Sequence, residues 1–316
     1  GLGGYEQGSG VSAAMFLAPQ CKKMIITDRK SKEDLADNVA ALSKFKNIVW
    51  HLGGHKKEDF TKTDWVIRNP GVRADNEFLQ LARKNKIPID NDVTLFIREI
   101  GGPKNIIGVT GTRGKTTTSH LIHEMLKEEN LKALLGGNVG ESPLNWLVPE
   151  RSAAKSRGGP ALPFDRLRVN CSVPIVLELS SFLLHDFATI EQSPHIAVWT
   201  TLYPDHLNAY PSMSSYVADK KNIYKFQTED DFLILNDDDE RLRKLSPKTP
   251  GAVIRFSTRR RLKDGCFIAG GKVFFGRDGV CSTRDFHLPG KHNLANLLAA
   301  ICAAKVYGIS NANIKQ

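Results

Sequence analysis

Lys115 and Thr116 stand directly behind two glycines, Gly111 and Gly114, in the stretch Gly108-Val-Thr-Gly-Thr-Arg-Gly-Lys-Thr-Thr-Thr118. These residue types at this spacing suit the phosphates of a nucleotide. Backbone N–H groups and a helix N-terminus can face the anion, Lys115 supplies a point charge, and the Thr116 hydroxyl can coordinate Mg²⁺. The pattern G-x-x-x-x-G-K-[ST] is missed by one residue, because Val109 occupies the first glycine position. An ordinary strand-to-helix turn is the alternative. Two glycines followed by Lys-Thr-Thr favour the phosphate site, with Gly111, Thr112, Gly114, Lys115, Thr116 and Thr117 as its contacts.

Other residues could share that chemistry. Glu178 lies inside the apolar run Pro174-Ile-Val-Leu-Glu-Leu-Ser-Ser181. An unpaired carboxylate there would cost several kcal/mol, so it needs either a buried structural partner or a metal ion beside the phosphate loop. Asn138 sits in the turn Gly136-Gly-Asn-Val-Gly140, and Asp205-His206 in the loop after a strand-like segment. Lys220-Lys221 fall on a helical stretch, and Asp28 closes an apolar strand. The acidic run Asn236-Asp-Asp-Asp-Glu240 reads as a solvated turn.

The elements that must position these groups follow from the pattern. Asn105 to Val109 is short, apolar and β-branched, a buried strand; Thr116 to Asn130 carries Leu121, Ile122, Met125 and Leu126 on one helical face. Further strands are expected at 23–27, 48–52, 65–68, 87–89, 174–181, 195–200, 231–236 and 252–256. An antiparallel pair is expected at 267–269 and 272–275. Helices are expected at 31–45, 76–85, 216–226 and 294–306, while residues 91–100 read as a bridge to the phosphate loop. The glycine-rich start, a strand and an acid roughly 20 residues on form the front of a Rossmann-like unit, although no strand precedes its first glycine. The expected fold is α/β: a Rossmann-like N-terminal domain over 1–92, then a P-loop NTPase-like central domain over 93–309 with a mostly parallel sheet.

The bulk composition narrows the classes. The 316 residues are 41% apolar and 25% charged, the balance of a soluble globular protein. No apolar run reaches the length of a membrane span, and no secretion signal opens the chain. Five widely spaced cysteines (21, 171, 266, 281 and 302) without a C-x-x-C pair point to a reduced, cytoplasmic protein with no structural zinc. The net charge is +10. The segment Arg151 to Cys171 supplies +4 of it, five basic residues against Asp165, and reads as an inserted surface loop. Arg259-Arg-Arg-Leu-Lys263 supplies more, and no basic stripe with interleaved aromatics accompanies it, so anionic small molecules are favoured over nucleic acid.

Six stretches, taken in order, resemble the Mur ligase family of ATP-dependent amide-bond-forming enzymes. They are Thr110 to Thr118, Gly136 to Gly140, Leu177-Glu-Leu-Ser-Ser-Phe182, Asp205-His-Leu207, Tyr216-Val-Ala-Asp-Lys220, and Leu288-Pro-Gly-Lys-His-Asn293 with Asn296. The third stretch and the glycine-rich start point to the D-glutamate-adding branch. The resemblance implies ATP and Mg²⁺ as cofactors, UDP-N-acetylmuramoyl-L-alanine and D-glutamate as substrates, a monomer, and a place in peptidoglycan synthesis. It implies Lys115 on the β- and γ-phosphates and a first Mg²⁺ on Thr116 and Glu178. A second Mg²⁺ would sit on His206 and a carbamylated Lys220. It further implies Asn293 at the adenine, Asn138 and His206 at the muramoyl-alanine end, and Asp28, Arg29 and Lys30 at the uracil end. A different amino acid, a folate-type ligase, and a non-catalytic nucleotide-binding paralogue stay open. Thr201 stands where the family has Asn, and Leu183 where it mostly has Gln. A third domain is expected beyond residues 310–316, which would begin its linker.

Overall fold

The computed structural model describes residues 1–2, 8–138, 140–147, 173–206, 208–245 and 247–314. The expected insert at 151–171 lies outside them. The chain packs as two compact units. One comprises residues 1–102 together with 141–147, and the other 103–140 together with the chain from 173 onward.

The first unit runs α1 (Ser9–Leu17), β1 (Met24–Asp28), α2 (Ala36–Leu42), β2 (Ile48–Leu52), β3 (Val66–Ile67), α3 (Glu77–Lys84), β4 (Ile89–Asp90) and α4 (Asp92–Glu99). Its strands form two separate parallel pairs, β1 with β2 and β3 with β4. Val11, Ala14, Ile26, Leu35, Leu42 and Ile48 form the core of the first pair; Phe60, Val66, Leu79 and Ile89 form that of the second. Residues 91–100, expected as a bridge, are a helix. Asn91 caps it, accepting from Val93 and Thr94 N–H while the Thr94 hydroxyl accepts from Asn91 N–H. Asp92 accepts from the Ser142 hydroxyl at 2.7 Å, and Trp146 lies edge-on to Phe96. This compact unit therefore reaches Gly102, whereas the sequence placed the boundary near residue 92.

The second unit is one nine-stranded sheet. Its strands are β5 (Ile106–Thr110), β6 (Leu134–Gly137), β7 (Ile175–Glu178), β8 (Ile196–Trp199), β9 (Phe232–Asn236), β10 (Ala252–Ser257), β11 (Gly265–Ala269), β12 (Lys272–Phe275) and β13 (Asp278–Ser282). They lie in the order β13-β12-β11-β10-β9-β8-β5-β7-β6. All neighbours from β6 to β11 are parallel, whereas β12 pairs antiparallel with both β11 and β13. The helices are α5 (Lys115–Glu128), α6 (Ser181–Ile190), α7 (Met213–Lys221), α8 (Glu240–Lys244), α9 (Lys291–Tyr307) and α10 (Asn311–Ile314). Every residue of β5 is buried, as a central parallel strand demands. Ile122, Met125 and Leu126 of α5 and the run Leu297–Ala304 of α9 join the sheet in one core. The helix α6 packs on α7 and supplies nothing to that core.

The topology fixes where a ligand can enter. From β5 the chain moves outward to β6 and returns through β7, then crosses to β8 on the opposite side of β5. Strand order thus reverses at β5, and in open parallel sheets such a switch leaves a crevice beyond the carboxyl ends of the strands. The loop Gly111–Gly114 sits there.

Candidate functional site

The turn between β5 and α5 is shaped by its glycines. Gly114 has φ +87 and immediately precedes α5, whose first turn no side chain caps. A Cβ on Gly114 would overlap the Asn296 carboxamide oxygen, and one on Gly111 would overlap the Thr200 hydroxyl. The loop is thus pressed between the start of α9 and the residues after β8, with the N–H groups of an uncapped helix turn at its mouth.

Lys115 folds back over this loop. Its Nζ donates to the carbonyls of Gly111 (3.0 Å) and Thr112 (3.4 Å), and burial pushes its pKa below the ordinary lysine value. The Thr116 hydroxyl donates to Glu178 Oε2 at 2.8 Å. Glu178, 2% exposed at the end of β7, accepts from the Asn138 amide through Oε1 at 3.1 Å. Its carbonyl takes the Asn138 N–H as well. Of the two ways to accommodate that carboxylate, the protein partners supply one directly. The hydroxyl and carboxylate oxygens facing each other are also hard donors of the kind Mg²⁺ takes.

Lys220, 1% exposed on α7, reaches into the same place. Its Nζ donates to the Thr110 hydroxyl (3.2 Å) and the Gly111 carbonyl (3.1 Å) and stands 5.0 Å from the Tyr216 ring centroid. Burial first, and the Lys115 charge second, lower its pKa to about 7; Asp205 and Glu178 oppose the shift. His206 approaches this group through rings, 6.2 Å from Tyr216 and 5.3 Å from Phe182 between centroids, and its Nε2 stands 3.7 Å from Asp205. Its backbone is left-handed, φ 54, an unfavourable setting for a residue with a Cβ. Among the described residues no three His, Cys, Asp or Glu side chains are grouped closely enough to hold a metal ion. The expected set Thr116, Glu178, His206 and Lys220 thus offers a Thr–Glu pair and a lysine beside it, with His206 one aromatic ring away.

The remaining expected contacts divide between the units. Asn293 donates to the Pro289 carbonyl at 2.7 Å and accepts from Asn296, the residue that meets Gly114. Asp28, Arg29 and Lys30 lie in the first unit, at and just beyond the end of β1. The Asp28 carboxylate is bonded to backbone, taking the Leu2 N–H at 2.8 Å and the Lys30 N–H at 3.0 Å, so it ties Leu2 to the turn after β1. Beside it, residues Trp50 to Lys56 line a cavity of about 300 Å³. His55 in that wall meets the Thr27 hydroxyl at 2.7 Å.

Sequence reasoning missed Thr200 and marked Thr201 only as a departure from the family's Asn. Both hydroxyls lie within hydrogen-bond reach of the Arg113 carbonyl, at 2.6 and 2.9 Å, and the Thr201 hydroxyl also accepts from Arg113 N–H at 2.8 Å. The acidic run after β9 is likewise not a solvated turn. Asn236, Asp237 and Asp239 are buried. Asp237 pairs with Arg260, Asp238 accepts from Ser257 and Thr258, and Asp239 takes Leu202 N–H.

Two family profiles match the chain: Mur ligase middle domain over residues 109–304, and Mur ligase MurD-like N-terminal domain over residues 1–90. The chain belongs to the Mur ligase family. The UDP-N-acetylmuramoylalanine–D-glutamate ligases of Roseiflexus sp. (strain RS-1) and Listeria innocua serovar 6a are 33% and 35% identical to it. The alignments cover 100% and 97% of this chain but 65% and 62% of those proteins, so the chain spans less than two thirds of their length. Among solved structures, the UDP-N-acetylmuramate:L-alanyl-gamma-D-glutamyl-meso-diaminopimelate ligase of Neisseria meningitides shares the fold. Its TM-score is 0.61 at 17% identity, over 97% of this chain and 93% of that one. A MurF ligase from Thermotoga maritima, solved in complex with ADP, gives a TM-score of 0.50 at 17% identity over 95% and 64%.

Proposed function

We propose that this chain carries the nucleotide and UDP-sugar sites of a Mur ligase that joins D-glutamate to UDP-N-acetylmuramoyl-L-alanine at the expense of ATP. The observation that carries the reading is the convergence of Lys115, Thr116, Glu178 and Lys220 on one uncapped helix N-terminus at the switch point of the sheet. The D-glutamate choice rests on the relatives named for that reaction.

A carboxylate is a poor electrophile, so the substrate must first be activated. One carboxylate oxygen attacks the γ-phosphorus of ATP, ADP leaves, and an acyl phosphate forms. The amine nitrogen of D-glutamate then attacks the acyl carbon, phosphate leaves, and the nitrogen gives up a proton. Lys115 serves the first step by exchanging the Gly111 and Thr112 carbonyls for β- and γ-phosphate oxygens, countering charge where it moves. The first-turn N–H groups of α5 add fixed positive dipole at the same place. Mg²⁺, held by Thr116 and Glu178, would neutralise phosphate charge in the transferring group. Lys220 as a free amine can add CO₂, and the carbamate would present oxygen in place of ammonium, alongside His206. Asn138 and His206 would face the muramoyl-alanine end, and Asn293 the adenine. The first unit's cavity beside Asp28, Arg29 and Lys30 would take the uridine diphosphate.

Hydroxylamine trapping tests the reading. With UDP-N-acetylmuramoyl-L-alanine and Mg·ATP, the expected product is a muramoyl hydroxamate detected by mass, absent in Lys115→Met. Calorimetry should show Mg·ATP binding lost in that variant. Unaltered Mg·ATP affinity in Lys115→Met would remove the phosphate-loop assignment.

A further inference from the structure

The phosphate loop does not stand alone. On one side it is stitched to the segment after β8, and that segment is fastened in turn by the turn after β9. Thr112 N–H donates to the Thr201 carbonyl at 2.9 Å, and Tyr203 N–H donates to the Thr112 hydroxyl at 3.0 Å. The backbone on either side of Arg113 is held most heavily: its N–H donates to the Thr201 hydroxyl, and its C=O, in the next peptide unit, lies within reach of both threonine hydroxyls. A peptide unit is planar and trans, so fixing the Arg113 C=O toward the threonines turns the following N–H, that of Gly114, the opposite way. The loop's last N–H before α5 is therefore aimed by side chains in the segment after β8.

Those threonines are themselves tethered. Asn236 donates its amide to the Thr200 carbonyl at 2.8 Å, and Asp239 Oδ2 accepts the Leu202 N–H at 2.7 Å. Asn236 and Asp239 are both buried. Asp239 Oδ1 meanwhile caps α8, taking Arg241 and Leu242 N–H. One carboxylate thus joins the end of a rigid strand–helix turn to the residue after Thr201.

We propose that Thr201 is a positioning residue for the phosphate loop, orienting the Arg113–Gly114 peptide toward the nucleotide, and that Asp239 fixes Thr201 through Leu202. The assignment deepens the phosphate-loop reading above and depends on it. Neither residue need touch the nucleotide; both act on the backbone that does.

Calorimetry with Mg·ATP on the wild type, Thr201→Val, Thr201→Ser and Asp239→Asn separates the outcomes, with melting temperature measured alongside. Valine keeps the shape and removes the hydroxyl, so affinity should fall about tenfold, the scale of losing hydrogen bonds to a peptide group. Serine keeps the hydroxyl and should stay within about twofold of the wild type. Asparagine at 239 retains an oxygen for the α8 cap and loses the acceptor for Leu202, so affinity should fall, and the buried N–H left unpaired should lower the melting temperature as well. Wild-type affinity in Thr201→Val, or an equal loss in Thr201→Ser, overturns the proposal while leaving the phosphate loop intact. A wild type that binds no Mg·ATP overturns both.

Discussion

Lys115 and Lys220 donate to the same acceptor, the Gly111 carbonyl oxygen, at 3.0 and 3.1 Å. Two ammonium groups sharing one neutral oxygen repel each other, and the more deeply buried has its charge less well solvated and so gives up its proton more easily. That one is Lys220, and the Lys115 charge is the second cause of its lowered pKa after burial. If Lys115 meets phosphate as proposed, the loop keeps a cation toward the nucleotide and an amine that can be neutral behind it.

Stability should report this directly. Lys220 titrates near 10.5 in the unfolded chain and near 7 in the fold. Between those values the unfolded state binds more protons, so stability rises as pH climbs from about 7 toward 10.5, and below 7 the burial cost is paid in full. Chemical denaturation of the wild type and Lys220→Met across that range should show a one-proton rise in the wild type that the variant lacks. Parallel curves would place the amine in a wetter setting.

A neutral amine at pH 7 is also a nucleophile. Its nitrogen can attack the carbon of CO₂ and release a proton, leaving a carbamate. Lys220 should give a carbamate carbonyl resonance when the protein is equilibrated with isotopically labelled bicarbonate, and Lys220→Ala should not. In protein that turns over, short-chain carboxylic acids should partly rescue Lys220→Ala by supplying the lost oxygens. A wild type without the resonance at saturating bicarbonate would exclude the modification.

The strand, loop and helix around Lys115 were legible because every signal there is local: a β-branched run, paired glycines, then apolar residues at helical spacing. Helix α4 was not. Val93, Phe96, Ile97 and Ile100 do stand at helical spacing, but the stretch is short and Leu95 is buried with them, so it reads as a bridge; the Asn91–Thr94 capping pair is the other sign. The acidic run was misread for a different reason. Its partners Arg260, Thr258 and the Leu202 N–H lie some 20 to 37 residues away, and nothing local announces them. Thr201 was visible only as a departure from Asn, while its function as a clamp on Arg113 needs the pairing of β5 with β8.

Asp92 offers a test in the first unit. One carboxylate oxygen takes the Ser142 hydroxyl; the other is buried with no hydrogen-bond partner among the described residues, and burial raises its pKa. With the folded pKa above the unfolded 3.8, the cost is absent below that value and complete above the folded one. Asp92→Asn should therefore raise the melting temperature at pH 7, with the gain shrinking toward pH 4. A loss of stability at pH 7 would mean that an unseen donor, such as a buried water, satisfies the oxygen.

Gly114 makes the sharpest demand on sequence, because two independent costs meet there. Its φ of +87 is left-handed, worth roughly 1–2 kcal/mol against a residue with a Cβ. An added methyl would also overlap the Asn296 carboxamide. The two costs separate in a double-mutant cycle. Gly114→Ala alone should pay both, whereas in an Asn296→Ala background the overlap is gone and only the backbone cost remains. Urea denaturation should then show a coupling of at least about 1 kcal/mol, well outside the few tenths by which independent sites depart from additivity. Mg·ATP affinity should fall in both alanine-114 proteins, since the backbone that leads into α5 is disturbed whether or not the methyl finds room. Strict additivity in stability would show that Asn296 yields to the methyl freely, and the close fit of α9 against the loop would no longer explain the glycine.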